Sequence, residues 1–252
     1  MAASILHGSQ WFDAEFRIPL LRAPTGSGLH CEGRIAHRFE LLPGDTCEID
    51  GVLVTTPVRT AFDIGRVTPE WRGLGNLDAL HRATGFSREE LVRYIEVHKG
   101  WRHIRQLRAI APLIDGRAES PPESWVRLLI IRGDLPTPDL QIPVVDDTGI
   151  VVARADLGYE SLKVDIEYDG EEFHSSPSQR EKDMARDALL EKLGWKTIRI
   201  DRDRLRDDPG GILAEIEAAI ARDEALLSDA TLYARDPGRF AALTKAIEQA
   251  RA

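Results

Sequence analysis

Cysteine is almost missing. Cys31 and Cys47 are the only two in 252 residues, too few for a disulfide framework and without the CxxC spacing of a zinc knuckle or a redox pair. Long apolar runs are missing too. No stretch approaches the roughly 20 residues that cross a bilayer, and the opening MAASILHGSQW has neither the basic flank nor the apolar length of a signal peptide. No membrane partner is expected, and the expected compartment is the reducing cytoplasm. Internal repeats and low-complexity tracts are also absent. With 42% hydrophobic and 30% charged residues, the chain can bury a core and is not read as disordered.

A basic excess is the last thing lacking. There are 33 Lys+Arg against 42 Asp+Glu, a formal charge of -9. That argues against a surface built as a whole to neutralise phosphate. The distribution is informative: residues 1–115 hold 14 basic and 14 acidic residues, so the entire acidic excess follows Asp115. An acidic half with an ordered carboxylate cluster can hold a divalent cation that reverses the local sign. A solvated acidic surface is the alternative.

Up to about Thr56 the sequence reads as short strands and turns, FRIPLL, LHCEGRIAHRFEL and CEIDGVLVTT, punctuated by Pro and Gly. Helices follow. Thr56 with Pro57 makes a cap and first turn, and Ser87 with Glu90 makes a capping box. A helix from about Trp101 to Ile114 would put Arg102, Arg105 and Arg108 on one face, either touching phosphate or solvated. DGRAESPP, near 115–122, breaks the pattern and marks a boundary. Ser120, Pro121 and Glu123 then open a helix with Trp125, Val126, Leu128 and Leu129 as its apolar face, ended by Gly133.

Three strand candidates come next, DLQIPVVDD, GIVVARADLG and SLKVDIEYDG. A helix opened by Ser178 and Glu181 follows, with Met184, Ala185, Ala188, Leu189 and Leu193 expected on its buried side. WKTIRID is a further strand, and a helix from about Gly211 to Leu227 packs back. The expected fold class is therefore α/β, a mixed sheet flanked by helices, preceded by a smaller α+β region. The expected boundaries are 1–115, 116–227 and a helical tail at 228–252.

Carboxylates carry the chemistry. Asp156 lies near the end of one strand, and Glu167 and Asp169 lie on the next. Side chains alternate along a strand, so Glu167 and Asp169 share a face and Tyr168 points away. If the strands are neighbours, Asp156 and Glu167 converge among Val151, Val152, Val164 and Ile166. Carboxylates in such surroundings are costly unless ion-paired, hydrogen-bonded or bound to a metal. Hard oxygen ligands suit Mg²⁺ or Mn²⁺, which can polarise a phosphodiester and activate water. Glu123 can add a third carboxylate or simply complete its helix cap. His174 can act as general base or be an ordinary surface residue.

At these residues the sequence resembles the PD-(D/E)XK nuclease superfamily and, within it, the very-short-patch-repair-like (Vsr-like) branch. The matching string runs ESPPES with Arg127, then Pro136 and Gln141, ARADLGY, VDIEYDGEEFH, a helix bearing Asp183 and Arg186, and LGWKTIRID. It spans Glu119 to Asp201. The resemblance implies a restriction-endonuclease-like core and a metal-dependent DNA endonuclease of defence or repair. It makes Asp156 and Glu167 ligands of Mg²⁺ or Mn²⁺, Glu123 the acidic residue of the first helix, and Asp169 and His174 the family's DG-to-His signature. Asp169 stands where the superfamily pattern has Lys, leaving Lys163, Lys182 and Arg186 as candidates for the positive charge.

The first half is similar to AbiEi-type antitoxins of type IV toxin-antitoxin systems, through AASILHG and GVLVTTPVRTAFDIGR. Thr55, Thr56, Arg59, Thr60 and Asp63 carry this likeness; taken one by one, they read first as a helix cap with a local ion pair. Those relatives usually carry an N-terminal winged-helix DNA-binding domain, which is not expected within this sequence, either because its start is truncated or because this member works without it. The likeness implies an alternative function, an antitoxin-like regulator or DNA-binding protein with an inert nuclease fold. Its partners would be DNA and a cognate toxin.

Overall fold

The computed structural model describes residues 2–11, 18–22, 34–38, 41–66, 69–170 and 177–227. The expected tail at 228–252 lies outside them. The chain divides into two compact units, Met1–Ser124 and Trp125–Ala252.

The first unit opens with a short helix, α1 (Ala2–Leu6), where strands and turns were expected. β1 (Ile18–Arg22) pairs in parallel with β2 (Arg34–Arg38), and β3 (Thr46–Ile49) pairs antiparallel with β4 (Val52–Thr55). The turn between β3 and β4 is Asp50–Gly51, both at positive φ. That is the pair a tight two-residue hairpin favours, because its backbone twist matches that of the strands.

Four helices follow, α2 (Pro57–Gly65), α3 (Glu70–Thr84), α4 (Arg88–Val97) and α5 (Ile104–Ile110). The caps stand where the sequence places them: the Thr56 hydroxyl accepts from the Arg59 amide, and Ser87 accepts from the Glu90 amide. Phe62, Leu74, Leu77, Leu80, Leu91, Ile95, Leu107 and Ile110 make a fully buried core. At Gly65 a Cβ would stand 2.4 Å from Leu107 Cδ1 and 2.9 Å from Leu77 Cδ1, so a larger residue would force these leucines to shift. Arg102 lies before α5 rather than on it, and Arg108 pairs with Glu96. The three arginines therefore do not form one helix face.

The division between the units falls inside α6 (Pro121–Arg132). Along this helix Val126, Leu128 and Ile130 are buried while Trp125 and Leu129 are half-buried.

The second unit is a four-stranded sheet in the order β5 (Asp139–Val145), β6 (Val151–Tyr159), β7 (Val164–Asp169), β8 (Lys196–Asp201). The first two pairings are antiparallel and β7 runs parallel to β8. A parallel pair needs a crossover, and α7 (Pro177–Lys192) supplies it. The short α8 (Arg202–Asp207) and the longer α9 (Pro209–Leu227) follow. This is the mixed α/β sheet with flanking helices that the order of elements implied.

One expectation is corrected. On α7, Met184 is 71% exposed and Ala185 and Ala188 are exposed, whereas Leu190 is buried with Ile142, Val144, Ala155 and Trp195. Residues 183, 186, 187 and 190 share a helix face. That face is half polar because Arg186 and Asp187 meet charged partners from the sheet; of the expected apolar set, Leu189 and Leu193 are half-buried and Leu193 packs on this cluster, while Met184, Ala185 and Ala188 face out.

Candidate active site

The site is built from the middle of the sheet. The β6–β7 register pairs Leu157 with Ile166 and Gly158 with Asp165, so continuing it by one residue sets Asp156 opposite Glu167. On the other side β8 sets Thr197 beside Asp165, Arg199 beside Glu167 and Asp201 beside Asp169. Directly opposed residues point to the same side of a sheet. The intervening Val164 and Ile166 are fully buried and belong to the other face.

Gly158 is what lets the strands meet here. A Cβ at that position would stand 2.0 Å from the Val164 carbonyl oxygen.

Glu167 is buried and ion-paired with Arg186 from α7, and Arg199 Nη2 approaches it at 3.5 Å. Arg199 also reaches Asp187 at 2.6 Å and Asp169 at 3.6 Å. Arg186 donates to the Arg154 carbonyl at 3.0 Å, and its guanidinium feels the charges of Asp165 and Asp156 as well as Glu167. Asp156, Asp165 and Glu167 are therefore neighbours of one cation.

Asp165 is wholly buried. Its Oδ2 accepts from the Thr197 hydroxyl at 3.2 Å, while its Oδ1 has no donor. Burial, reinforced by the Glu167 charge, drives the Asp165 carboxyl far above the ordinary aspartate range; Arg186 opposes the shift. Asp169 is half-buried and is also raised, mainly by burial, with Arg199 pulling the other way.

The other expected residues fall as follows. Glu123 is buried on the first turn of α6, and its carboxylate accepts the Glu119 amide at 2.7 Å, a reciprocal cap to the Ser120 hydroxyl at the Glu123 amide. Lys163 ends its own turn at positive φ and donates to the Leu193 carbonyl at 2.8 Å. His174 lies outside the described residues, as does the side chain of Lys182.

Two residues escaped the sequence reading. Asp165 belongs to the same alternation as Glu167 and Asp169 in VDIEYD and was visible there. Arg199, in TIRID, carried no signal until β8 was known to lie beside β7.

Among the described residues no three His, Cys, Asp or Glu side chains are gathered closely enough to hold an ion as they stand. Carboxylate oxygens are hard donors, the type that divalent cations such as Mg²⁺ prefer. Three carboxylates surround the Arg186 guanidinium, and one buried carboxylate oxygen has no donor.

This sheet, with its paired acidic strands, defines a restriction-endonuclease-like domain. Residues 140–220 match the restriction-endonuclease-like family model REase_MTES_1575, and residues 3–113 match the AbiEi antitoxin C-terminal domain. The chain is 32% identical over 226 residues to two proteins of Mycobacterium tuberculosis, "Uncharacterized protein MT2308" of strain CDC 1551 / Oshkosh and "Uncharacterized protein Rv2248" of strain ATCC 25618 / H37Rv. The match covers 87% of this chain and 79% of each relative. The chain belongs to the family of these proteins, joining an AbiEi-like first region to a restriction-endonuclease-like second one. No solved structure matches it. No helix among the described residues is long and apolar enough to cross a membrane.

Proposed function

We propose that the protein is a Mg²⁺- or Mn²⁺-dependent DNA endonuclease of the Vsr-like branch, acting in the cytoplasm in defence or repair. Residues 116–227 would form its nuclease domain and residues 1–115 its AbiEi-like region. The observation that carries the reading is the acidic row: Asp156 is next in register to Glu167, with both beside Asp165 and Arg186 in a sheet of restriction-endonuclease-like order. Asp156 and Glu167 are the proposed ligands, with Glu123 as the acidic residue of the first helix. The bound cation would polarise the scissile phosphodiester and make water a better nucleophile.

The chain's own groups do the rest. Arg199 presents positive charge beside the carboxylates and can meet a phosphate oxygen, the charge-stabilising part that Asp169 leaves vacant at the usual lysine position. Asp169, with its raised proton affinity, is suited to exchange a proton with the attacking water or the leaving oxygen. His174 is the proposed second base.

The test is cleavage of supercoiled plasmid with Mg²⁺. Asp156→Ala should abolish metal-dependent cutting, and undiminished cutting by that variant would discard the mechanism.

A second reading is favoured by the Arg186–Glu167 pair and the AbiEi-like match. In it the nuclease fold is inert and the protein is an antitoxin-like regulator that binds DNA or a cognate toxin. Binding would then be the same with EDTA present; strong loss on chelation would count against it.

A further inference from the structure

We propose that the turn before α5 and the first turn of that helix form a docking surface for the phosphate backbone of duplex DNA, with Lys99, Arg102 and Arg105 as its cations, an inference that rests on the reading that this protein acts on DNA.

Charge in this stretch departs from the rest of the chain. Residues 97–114 contain four Lys+Arg, two His and no Asp or Glu, within a sequence of net charge -9. Exposed arginines elsewhere have found acids: Arg82 pairs with Glu119, Arg117 with Asp115, and Arg206 with Asp203 and Asp207. Lys99, Arg102 and Arg105 are exposed and have no ion pair among the described residues. Asp63 on α2 is taken by Arg59 and Arg66, and Glu96 on α4 by Arg108.

The backbone that carries these cations is pinned. Trp101 packs edge-on against Phe62 and His98, with ring centres 5.5 and 5.2 Å away. The buried His98 donates from Nδ1 to the Tyr94 carbonyl at 2.8 Å, and Arg66 donates to the Arg102 carbonyl at 3.2 Å. His103 closes the turn at a φ of 62°, a left-handed conformation uncommon outside glycine. Ile104 is buried and Trp101 half-buried, so every exposed side chain from Lys99 to Arg105 is basic.

Like charges held side by side repel one another and add nothing to folding. A polyanion offsets that repulsion. Duplex DNA carries one negative charge per roughly 1.7 Å of its axis, so adjacent phosphates can meet adjacent side chains and release their counterions. A protein partner would call for an apolar or aromatic anchor at the centre of the contact, and this stretch exposes none between Lys99 and Arg105. Phosphate contacts carry no base information, so the surface grips duplex DNA of any sequence.

The experiment uses the full chain in EDTA, with a labelled duplex of arbitrary sequence titrated at several KCl concentrations. Replacing Lys99, Arg102 and Arg105 together by Gln should weaken binding at least about tenfold at low salt and make the plot of log affinity against log salt shallower by about 2 to 3, close to one per lost phosphate contact. An unchanged affinity and slope overturns the proposal. The control replaces the paired Arg82, Arg108 and Arg117 by Gln, which removes the same charge. It should change the slope by less than half as much, and an equal change would make the effect one of net charge and overturn the surface.

Competition by polyglutamate as strong as by unlabelled duplex would assign the surface to an acidic polypeptide and overturn DNA as its partner. Should the triple variant not fold, Lys99→Glu and Arg105→Glu are read singly by the same slope; unchanged slopes, or failure of both to fold, overturn the assignment. Failure of the unsubstituted chain to bind duplex DNA in EDTA overturns it too. Cleavage with Mg²⁺ is scored separately, so loss of the surface with cutting intact leaves the nuclease reading standing, and binding without cutting leaves the surface standing.

Discussion

Each unit of this protein sets arginines among acids, and the two sites handle the charge differently. In the first unit Arg59 is wholly buried on α2. Its guanidinium meets Asp45 at 2.7 Å, Asp63 at 2.9 Å and the Tyr94 hydroxyl at 3.0 Å, and Tyr94 in turn donates to Asp45. Arg66 adds a second contact to Asp63 at 2.6 Å, so two arginines face two aspartates. Phe62 and Trp101 close the cluster, with both guanidinium groups over their rings. Burial and the Asp45 hydrogen bond push the Tyr94 phenol up to about 12, so it stays a donor at any working pH.

In the second unit four carboxylates, Asp156, Asp165, Glu167 and Asp169, stand near Arg186 and Arg199, and both arginines are partly open to solvent. The first cluster balances its charges and is read as a structural clasp. The second is left with surplus negative charge and an oxygen without a donor, which suits a site. That is also the reading of Thr55, Thr56, Arg59, Thr60 and Asp63 in this fold: Thr56 caps α2, Thr60 bonds Thr55, and Arg59 pairs with Asp63.

The contrast breaks most visibly in activity. Glu167→Gln should lower Mg²⁺-dependent plasmid cleavage by at least about a hundredfold, the scale of a lost metal-centred stabilisation; near-normal cutting would put the acidic row on the same structural footing as the Arg59 cluster.

Next comes stability. Arg59→Met leaves the buried Asp45 without its counter-charge, while Asp63 keeps Arg66, and should cost roughly 3–5 kcal/mol in urea unfolding of the first unit. Arg186→Met removes the ion-pair partner of the buried Glu167 but leaves Arg199 at 3.5 Å, and should cost less, roughly 1–3 kcal/mol. Equal losses would erase the distinction.

A smaller effect has the opposite sign. Asp165→Asn should stabilise the metal-free second unit near neutral pH by roughly 1–3 kcal/mol, the penalty of a buried unsatisfied group. The pH dependence follows from the raised proton affinity of Asp165. The native state keeps this proton where the unfolded chain has already lost it, above about pH 4. Stability from this group is thus full below that value and drains away as pH rises toward the folded-state pKa. The asparagine variant should flatten that slope in denaturation curves taken from pH 4 upward, and an unchanged slope would refute the assignment.

Smallest is Thr197→Val. It should cost about 1 kcal/mol, and the loss should shrink in the Asp165→Asn background, as a double-mutant cycle would report.

Much of this was legible in the linear order of residues. Ser87, Thr56 and Ser120 announced helix starts because capping is a local hydrogen bond. The strands around ARADLGY and VDIEYDG announced themselves by β-branched alternation. The row of acids in VDIEYD followed from the two-residue period of a strand. Such signals act within a few residues, so no tertiary information is needed to read them.

Other features needed neighbours that are distant in sequence. The buried side of α7 was misjudged at Met184, Ala185 and Ala188 because part of its packing face is held by ion pairs to β7 and β8, which apolar periodicity does not register. Arg199 entered the site through the parallel pairing of β8 with β7, and Asp165 stood out only once its oxygen was seen to have no donor. Burial and partnership are sums over all surrounding chain. They decide whether a charged side chain is held in a balanced clasp, as at Arg59, or left in a row of acids with surplus charge, as at Asp165, and two aspartates that look alike in sequence can fall on opposite sides of that divide.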